Sequence, residues 1–190
     1  MTQAFQKLSR QLRPQDVFVL YLAGHGIAVD GRFHFFPWKL DYQDTVEDSL
    51  AYALSQDRLQ AYLATIPALK SLIILDSCYS GSFTSAVDRQ LKSESANGRL
   101  SRATGRAVLS ATADNQEAIE GYRGMGVFTY ALTKGLLGEA EKNHDGLIST
   151  SELAQYAQAT VTEITEAVWQ QPQTPSFVIN GPDFPLATVD

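Results

Sequence analysis

One thiol and one imidazole form the pair in this chain best suited to acyl-transfer chemistry. The single cysteine, Cys78, follows the apolar run in LIILDSCYSG (72–81), and His25 follows the apolar run in VFVLYLAGHG (17–26). If both runs are strands of a doubly wound parallel sheet, their ends meet in the crevice outside the carboxyl ends of the strands, and the two side chains share one cleft. A free thiol is only a few per cent thiolate at neutral pH. An imidazole, with an ordinary pKa of about 6.5, can take its proton and return it to a leaving amine. Gly24 and Gly26 flank the histidine and allow a substrate backbone to come close, and the N–H groups of Gly26 and Cys78 are candidates for an oxyanion hole. The competing reading is a small buried cysteine and a core histidine.

Two carboxylates bear on what such a site would accept. Asp76, two residues before the cysteine, sets a negative charge at the edge of the cleft and favours a cationic partner; the alternative is a cap for a helix starting at Ser77. Asp114, in SATADNQEA, either adds to the same acidic pocket or is a solvated loop residue.

The elements that must position these residues alternate between helical and extended patterns, as in a sheet with helices on both faces. A helix over 2–13 ends before Pro14, and a strand over 16–23 leads to His25. GRFHFFPW (31–38) reads as a further strand or hairpin after the turn signal VDG, with His34 in a packing role. Leu59, Tyr62, Leu63 and Ile66 mark a helix over 55–65, and a strand over 71–76 delivers Cys78. A strand over 106–111, helices over 127–140 and 149–168, and a strand over 176–180 complete the set. Trp169 and the proline-rich tail 170–185 pack along the sheet edge or line the groove. The polar segment 82–106 reads as a long exposed loop; it gathers Arg89, Lys92, Arg99, Arg102 and Arg106, so a protease that cuts after basic residues could cut itself there.

EKNHDGLISTSE (141–152) places Glu141, Asn143, Asp145, Gly146, Ile148 and Glu152 at the spacing of a calcium-binding EF-hand loop, with glutamate instead of aspartate at the first position. The same residues are explained without metal, since Ser149 and Glu152 can form a capping box for the next helix and Gly146 the turn before it. The capping box is the preferred reading, with no cofactor required and His144 simply exposed.

HG after one hydrophobic strand and DSC-x-SG after another resemble the caspase and metacaspase clan (peptidase C14 type), and within it the bacterial caspase-like, or orthocaspase-like, group. The resemblance extends through RAVLSATADNQEA (106–118), GVFTYALTKGLL (126–137), DGLISTSELAQYA (145–157) and QTPSF (173–177). It implies an α/β fold, a three-layer αβα sandwich around a mostly parallel sheet. Residues 1–81 correspond to a large-subunit-like part, 82–106 to a loop open to self-cleavage, and 107–190 to a small-subunit-like part. It makes His25 the base, Cys78 the nucleophile and Gly26 an oxyanion donor. Metacaspase-like members carry the aspartate matching Asp76 and cut after arginine or lysine, whereas metazoan caspases carry glutamine there. Ala23 stands near the pocket where metacaspases often have serine, and Tyr79 where eukaryotic ones usually have histidine. No opening strand of the usual kind precedes 2–16, which implies a domain lacking that strand and a chain belonging to a longer or processed protein.

Composition sets the remaining bounds. A chain of 190 residues, 44% hydrophobic and 19% charged, suits one domain with a sizeable core. A net charge of −6 argues against nucleic acid as the main partner. Without an apolar run of roughly twenty residues or a signal-peptide pattern, and with one cysteine, the expected setting is a reducing cytoplasm, away from membranes; the resemblance to metacaspase-like members implies a monomer. The function expected is a cysteine endopeptidase acting on peptides with arginine or lysine before the cut bond. The rivals are a non-catalytic caspase-like scaffold and a Cys–His hydrolase acting on other amides or esters.

Overall fold

Two inner apolar strands that bury both faces form the centre of the molecule, as parallel strands flanked by helices must. The computed structural model describes residues 2–36, 46–85, 105–113 and 116–189. Strands β1 (Val17–Ala23), β5 (Lys70–Asp76) and β6 (Gly105–Ser110) run parallel in the order β1-β5-β6, and β8 (Ser176–Asn180) closes the sheet antiparallel to β6. Helix α1 (Thr2–Gln11) precedes β1. Between β1 and β5 come the hairpin β2 (His25–Val29) and β3 (Arg32–Phe36), helix α2 (Val46–Tyr52), the short strand β4 (Leu54–Ser55) and helix α3 (Gln56–Ala64). A short helix, α4 (81–85), follows Cys78. The second half holds α5 (Val127–Lys134), β7 (Leu147–Ser149), α6 (Thr150–Trp169) and β9 (Pro185–Thr188), with β7 and β9 paired antiparallel.

Alternation along β5 separates the two halves of the core. Ile73 and Leu75 join Phe5, Phe18, Phe33, Leu59 and Phe83 on one face. Leu72 and Ile74 join Phe128, Leu132, Leu153 and Val161 from α5 and α6 on the other. The result is an αβα sandwich, as expected. Strand β1 is an edge strand, and its outward residues Val17, Val19 and Tyr21 are 42%, 52% and 46% exposed. Among the described residues no helix is long and apolar enough to cross a membrane.

Three local differences from the sequence reading have physical causes. The chain does not leave His25 in a loop after β1 but starts β2 with it. Asp30 and Gly31 both take positive φ (50° and 71°), the primed turn that matches hairpin twist, so β2 pairs back onto β3. The helix expected over 127–140 is α-helical only to Lys134, then widens into a π turn over Gly135–Glu139, where Gly138 has φ 120°. Gly135 is needed there because a Cβ would lie 2.8 Å from Leu153 Cδ1, where α5 and α6 meet. The polar segment is shorter than 82–106: residues 81–85 are helical and Arg106 lies within β6, paired with Ser71 and Asn180 on either side.

Candidate active site

The two strand ends meet as adjacent backbones. Ala23 at the end of β1 pairs in register with Asp76 at the end of β5, and Gly24 N–H donates to the Asp76 carbonyl at 3.1 Å. Beyond this point one chain enters β2 at His25 while the other turns through Cys78 into α4. Gly26 packs directly on that turn: a Cβ there would lie 2.5 Å from the Cys78 carbonyl oxygen, 2.8 Å from the Phe33 ring and 2.9 Å from Ser77 Oγ. Phe83 of α4 meets Phe33 of β3 edge to face at 6.2 Å, tying the cysteine turn to the hairpin that carries His25.

The turn holds backbone strain beside the thiol. Tyr79 sits at φ 55°, a region unfavourable for an aromatic residue, and its N–H donates to the Gln116 carbonyl at 2.9 Å. Cys78 Sγ is half-buried and accepts the Ala118 N–H at 3.4 Å. Burial pushes the thiol above its ordinary value of 9.0; the Ala118 N–H pulls back, and the Glu117 and Glu120 carboxylates push it further up. His25 is exposed, and its ring makes no hydrogen bond among the described residues. The structure therefore brings the two segments together without a hydrogen bond between thiol and imidazole, a bond that commonly tightens only when substrate binds.

Asp76 lies in the wall of a cavity of ≈ 450 Å³ lined also by Tyr21, Ala23, Glu120, Met125 and Thr129. Thr129 Oγ1 donates to Asp76 Oδ2, and the Tyr21 hydroxyl stands 3.4 Å from the same oxygen and 2.6 Å from Thr129 Oγ1. Burial raises the Asp76 carboxyl above its usual 3.8; the two hydroxyls oppose that shift, and Glu120 adds to it. Asp76 caps no helix, because the next one begins at 81. Tyr21, Glu120 and Thr129 were not read from the sequence as site residues. Tyr21 had a signal, since it lies two residues before Ala23 and points to the same face.

A short arm over 116–120 joins thiol and cavity. Besides Gln116 and Ala118, Ile119 N–H donates to Gln173 Oε1 at 2.8 Å, and Gln173 Nε2 reaches the Ala111 carbonyl at 2.7 Å. Thr174 N–H donates to Gln116 Oε1 at 2.9 Å. Of the two roles left open for the tail, β8 forms the sheet edge; the residues before it hold the 116–120 arm and do not line the Asp76 cavity. Trp169 lies 6.1 Å from Tyr122.

The remaining sequence candidates are distributed as follows. Asp114 and four of the basic residues, Arg89, Lys92, Arg99 and Arg102, lie outside the described residues. Arg106 belongs to a paired inner strand, so cleavage after it would require β6 to leave the sheet. In the 141–152 loop, Ser149 and Glu152 form the capping box of α6. Asp145 N–H is taken by Glu141 and Asn143 at 3.1 and 2.8 Å, and Asp145 Oδ1 accepts Leu147 N–H at 2.8 Å. His144 is exposed. His34 pairs in the hairpin opposite Ile27, with Nδ1 3.0 Å from the Arg32 carbonyl oxygen.

A family model described as Caspase domain matches residues 1–183. No curated protein matches the sequence. Among solved structures, protein GSU0716 from Geobacter sulfurreducens superposes with a TM-score of 0.53 at 19% identity, covering 95% of this chain and 72% of that one, a likeness of fold alone.

Proposed function

The chain belongs to the caspase-domain family of peptidases, and we propose that it is a cysteine endopeptidase that cuts after arginine or lysine. The observation that carries this reading is the position of Asp76: its carboxylate faces a side-chain-sized cavity two residues from the thiol, with Glu120 on the same wall. A guanidinium or ammonium entering that cavity would bring the following carbonyl carbon toward Cys78. In this mechanism His25 takes the thiol proton, and the thiolate sulfur adds to the carbonyl carbon. The oxygen, now an anion, is held by the N–H groups of Gly26 and Cys78. The intermediate collapses as the protonated imidazole gives its proton to the leaving amine. Water, deprotonated by the same imidazole, then adds to the thioester and releases the acid and the thiol.

The substrate class is a peptide or protein with a basic residue before the cut bond, and the chain itself offers such bonds after Arg89, Lys92, Arg99 and Arg102. Self-processing after one of these is part of the proposal. A non-catalytic, scaffolding domain is the second reading, favoured by a thiol bonded to Ala118 N–H instead of to the imidazole. Fluorophore release from paired peptides ending in arginine or aspartate, with wild type and Cys78→Ala, separates them. Cysteine-dependent cleavage after arginine supports the peptidase; cleavage after aspartate overturns the role of Asp76; no cleavage by folded protein supports the scaffold.

A further inference from the structure

We propose that a cation seated in the Asp76 cavity raises the reactivity of Cys78, so that the pocket choosing the substrate also switches on the nucleophile. This rests on the peptidase reading above and adds a regulation to the same site.

The geometry comes from the 116–120 arm. Its Ala118 N–H holds the Cys78 sulfur at 3.4 Å, and Glu117 and Glu120 lie one and two residues to either side. Glu120 shares the cavity wall with Asp76, which is itself two residues from the thiol. The arm is pinned at Gln116 by Tyr79 N–H (2.9 Å) and at Ile119 by Gln173 (2.8 Å) and by Val127 N–H (3.0 Å), so Glu120 and Ala118 keep a fixed relation. The charges acting on the sulfur are Glu117 and Glu120 of the arm, and Glu120 acts also on Asp76, whose carboxyl the Tyr21 and Thr129 hydroxyls face.

The Glu117 and Glu120 carboxylates both oppose formation of a thiolate at Cys78. While the cavity is empty, burial and these charges keep the proton on sulfur. A guanidinium between Asp76 and Glu120 offsets the Glu120 charge at the thiol without touching the sulfur. Glu117 and Glu120 are exposed, so water already screens them and the gain is modest. It is reduced further because a more acidic thiol makes a less nucleophilic thiolate. The consequence is selectivity: a peptide without a basic side chain meets a largely protonated thiol even if it reaches the cleft.

The test uses the intact chain, in which Cys78 is the single cysteine, and iodoacetamide, a neutral reagent. Sulfur displaces iodide from the reagent carbon, and the thiol proton goes to buffer. Rates at pH 7 are compared with butylguanidinium, with its uncharged counterpart butylurea, and with neither, while calorimetry follows binding. Butylguanidinium is expected to bind and raise the rate about twofold or more, and butylurea to leave it unchanged. Glu120→Gln, at an exposed position that should fold normally, is expected to react faster than wild type without the cation and to gain less from it. Binding of butylguanidinium with an unchanged or lower rate overturns the coupling and leaves the pocket reading intact. Failure of butylguanidinium to bind overturns both.

Discussion

Replacing Asp76 with asparagine tests most directly whether the cavity selects a cation. The substitution preserves shape, and the asparagine carbonyl can still accept the Thr129 hydroxyl that Asp76 Oδ2 now takes. What disappears is the charge. Truncating one partner of a desolvated, hydrogen-bonded charge pair costs about 2–5 kcal/mol. Because Asp76 is half-buried in an open cavity, the lower end applies, and about 2–3 kcal/mol corresponds to a loss of about 30- to 150-fold in kcat/KM on arginine peptides. Stability should move the other way. Burial holds the Asp76 carboxyl above its ordinary 3.8, so the folded state binds the proton more tightly than the unfolded chain does. The stability this gives is complete below about pH 3.8 and is lost as pH rises through the raised value, leaving a penalty at neutral pH. Asp76→Asn removes that penalty and its pH slope, so Tm at pH 7 should rise, by about 2–4 °C for each kcal/mol gained in a chain of this size. Parallel assays of arginine-peptide hydrolysis and thermal unfolding from pH 4 to 8 measure both. Activity within about threefold of wild type would refute the pocket assignment, and a lower Tm at pH 7 would refute the electrostatic account.

Two substitutions probe the packing that supports the thiol. Gly26→Ala drives a methyl against the Cys78 carbonyl, where it would lie 2.5 Å away; backbone cannot yield as a side chain would, so urea unfolding should show a loss of about 1–3 kcal/mol, and a cost under about 0.5 kcal/mol would mean the two segments are not held in contact. Ser77 Oγ is buried with no hydrogen-bond partner among the described residues, so Ser77→Ala should raise the urea midpoint by an amount equivalent to about 1–2 kcal/mol with an unchanged slope; a lower midpoint would show that a bound water satisfies the hydroxyl.

The parts legible in the sequence were those written as local pattern. Continuous apolar runs marked β1, β5 and β6: burial on both faces removes the alternation in β5 and β6, and in β1 the outward residues are themselves apolar or aromatic. Helical spacing at Leu59, Tyr62 and Leu63 marked α3, and Ser149 with Glu152 marked the start of α6. The hairpin entry of His25 was half-legible: the Asp30-Gly31 turn was noted, but GHGIAV before it lacks the β-rich composition that would extend β2 back to His25. The cavity was legible only at Asp76 and Ala23. Thr129 lies 53 residues from Asp76 and Tyr21 lies 55, and no periodicity connects them; sheet order and the packing of α5 do. Glu120 escaped notice for another reason. It looks like any exposed charge in a glycine-rich loop until Ala118 is seen bonded to the cysteine.

Four consecutive residues hold unusual local environments. Asp76 is a carboxyl whose ionised form is penalised by burial, Ser77 carries a buried hydroxyl without a partner, Cys78 is a thiol held protonated, and Tyr79 occupies left-handed backbone. Asp76, Ser77 and Tyr79 depart from what stability alone would select, at on the order of 1 kcal/mol each, whereas the thiol, protonated at neutral pH in the folded and the unfolded chain alike, costs no stability. The immediate surroundings are the opposite: Leu72, Ile73, Ile74 and Leu75 before them are 6% exposed or less, and Phe83 after them is fully buried. A sequence this consistent on both sides could relieve the strain with ordinary substitutions such as Asp76→Asn, Ser77→Ala or Tyr79→Gly. Such clustering of unfavourable choices is expected where geometry serves chemistry rather than packing. The deep core on either side keeps the turn folded despite it, so a strained turn and a half-buried thiol can sit at the carboxyl end of the inner strand β5.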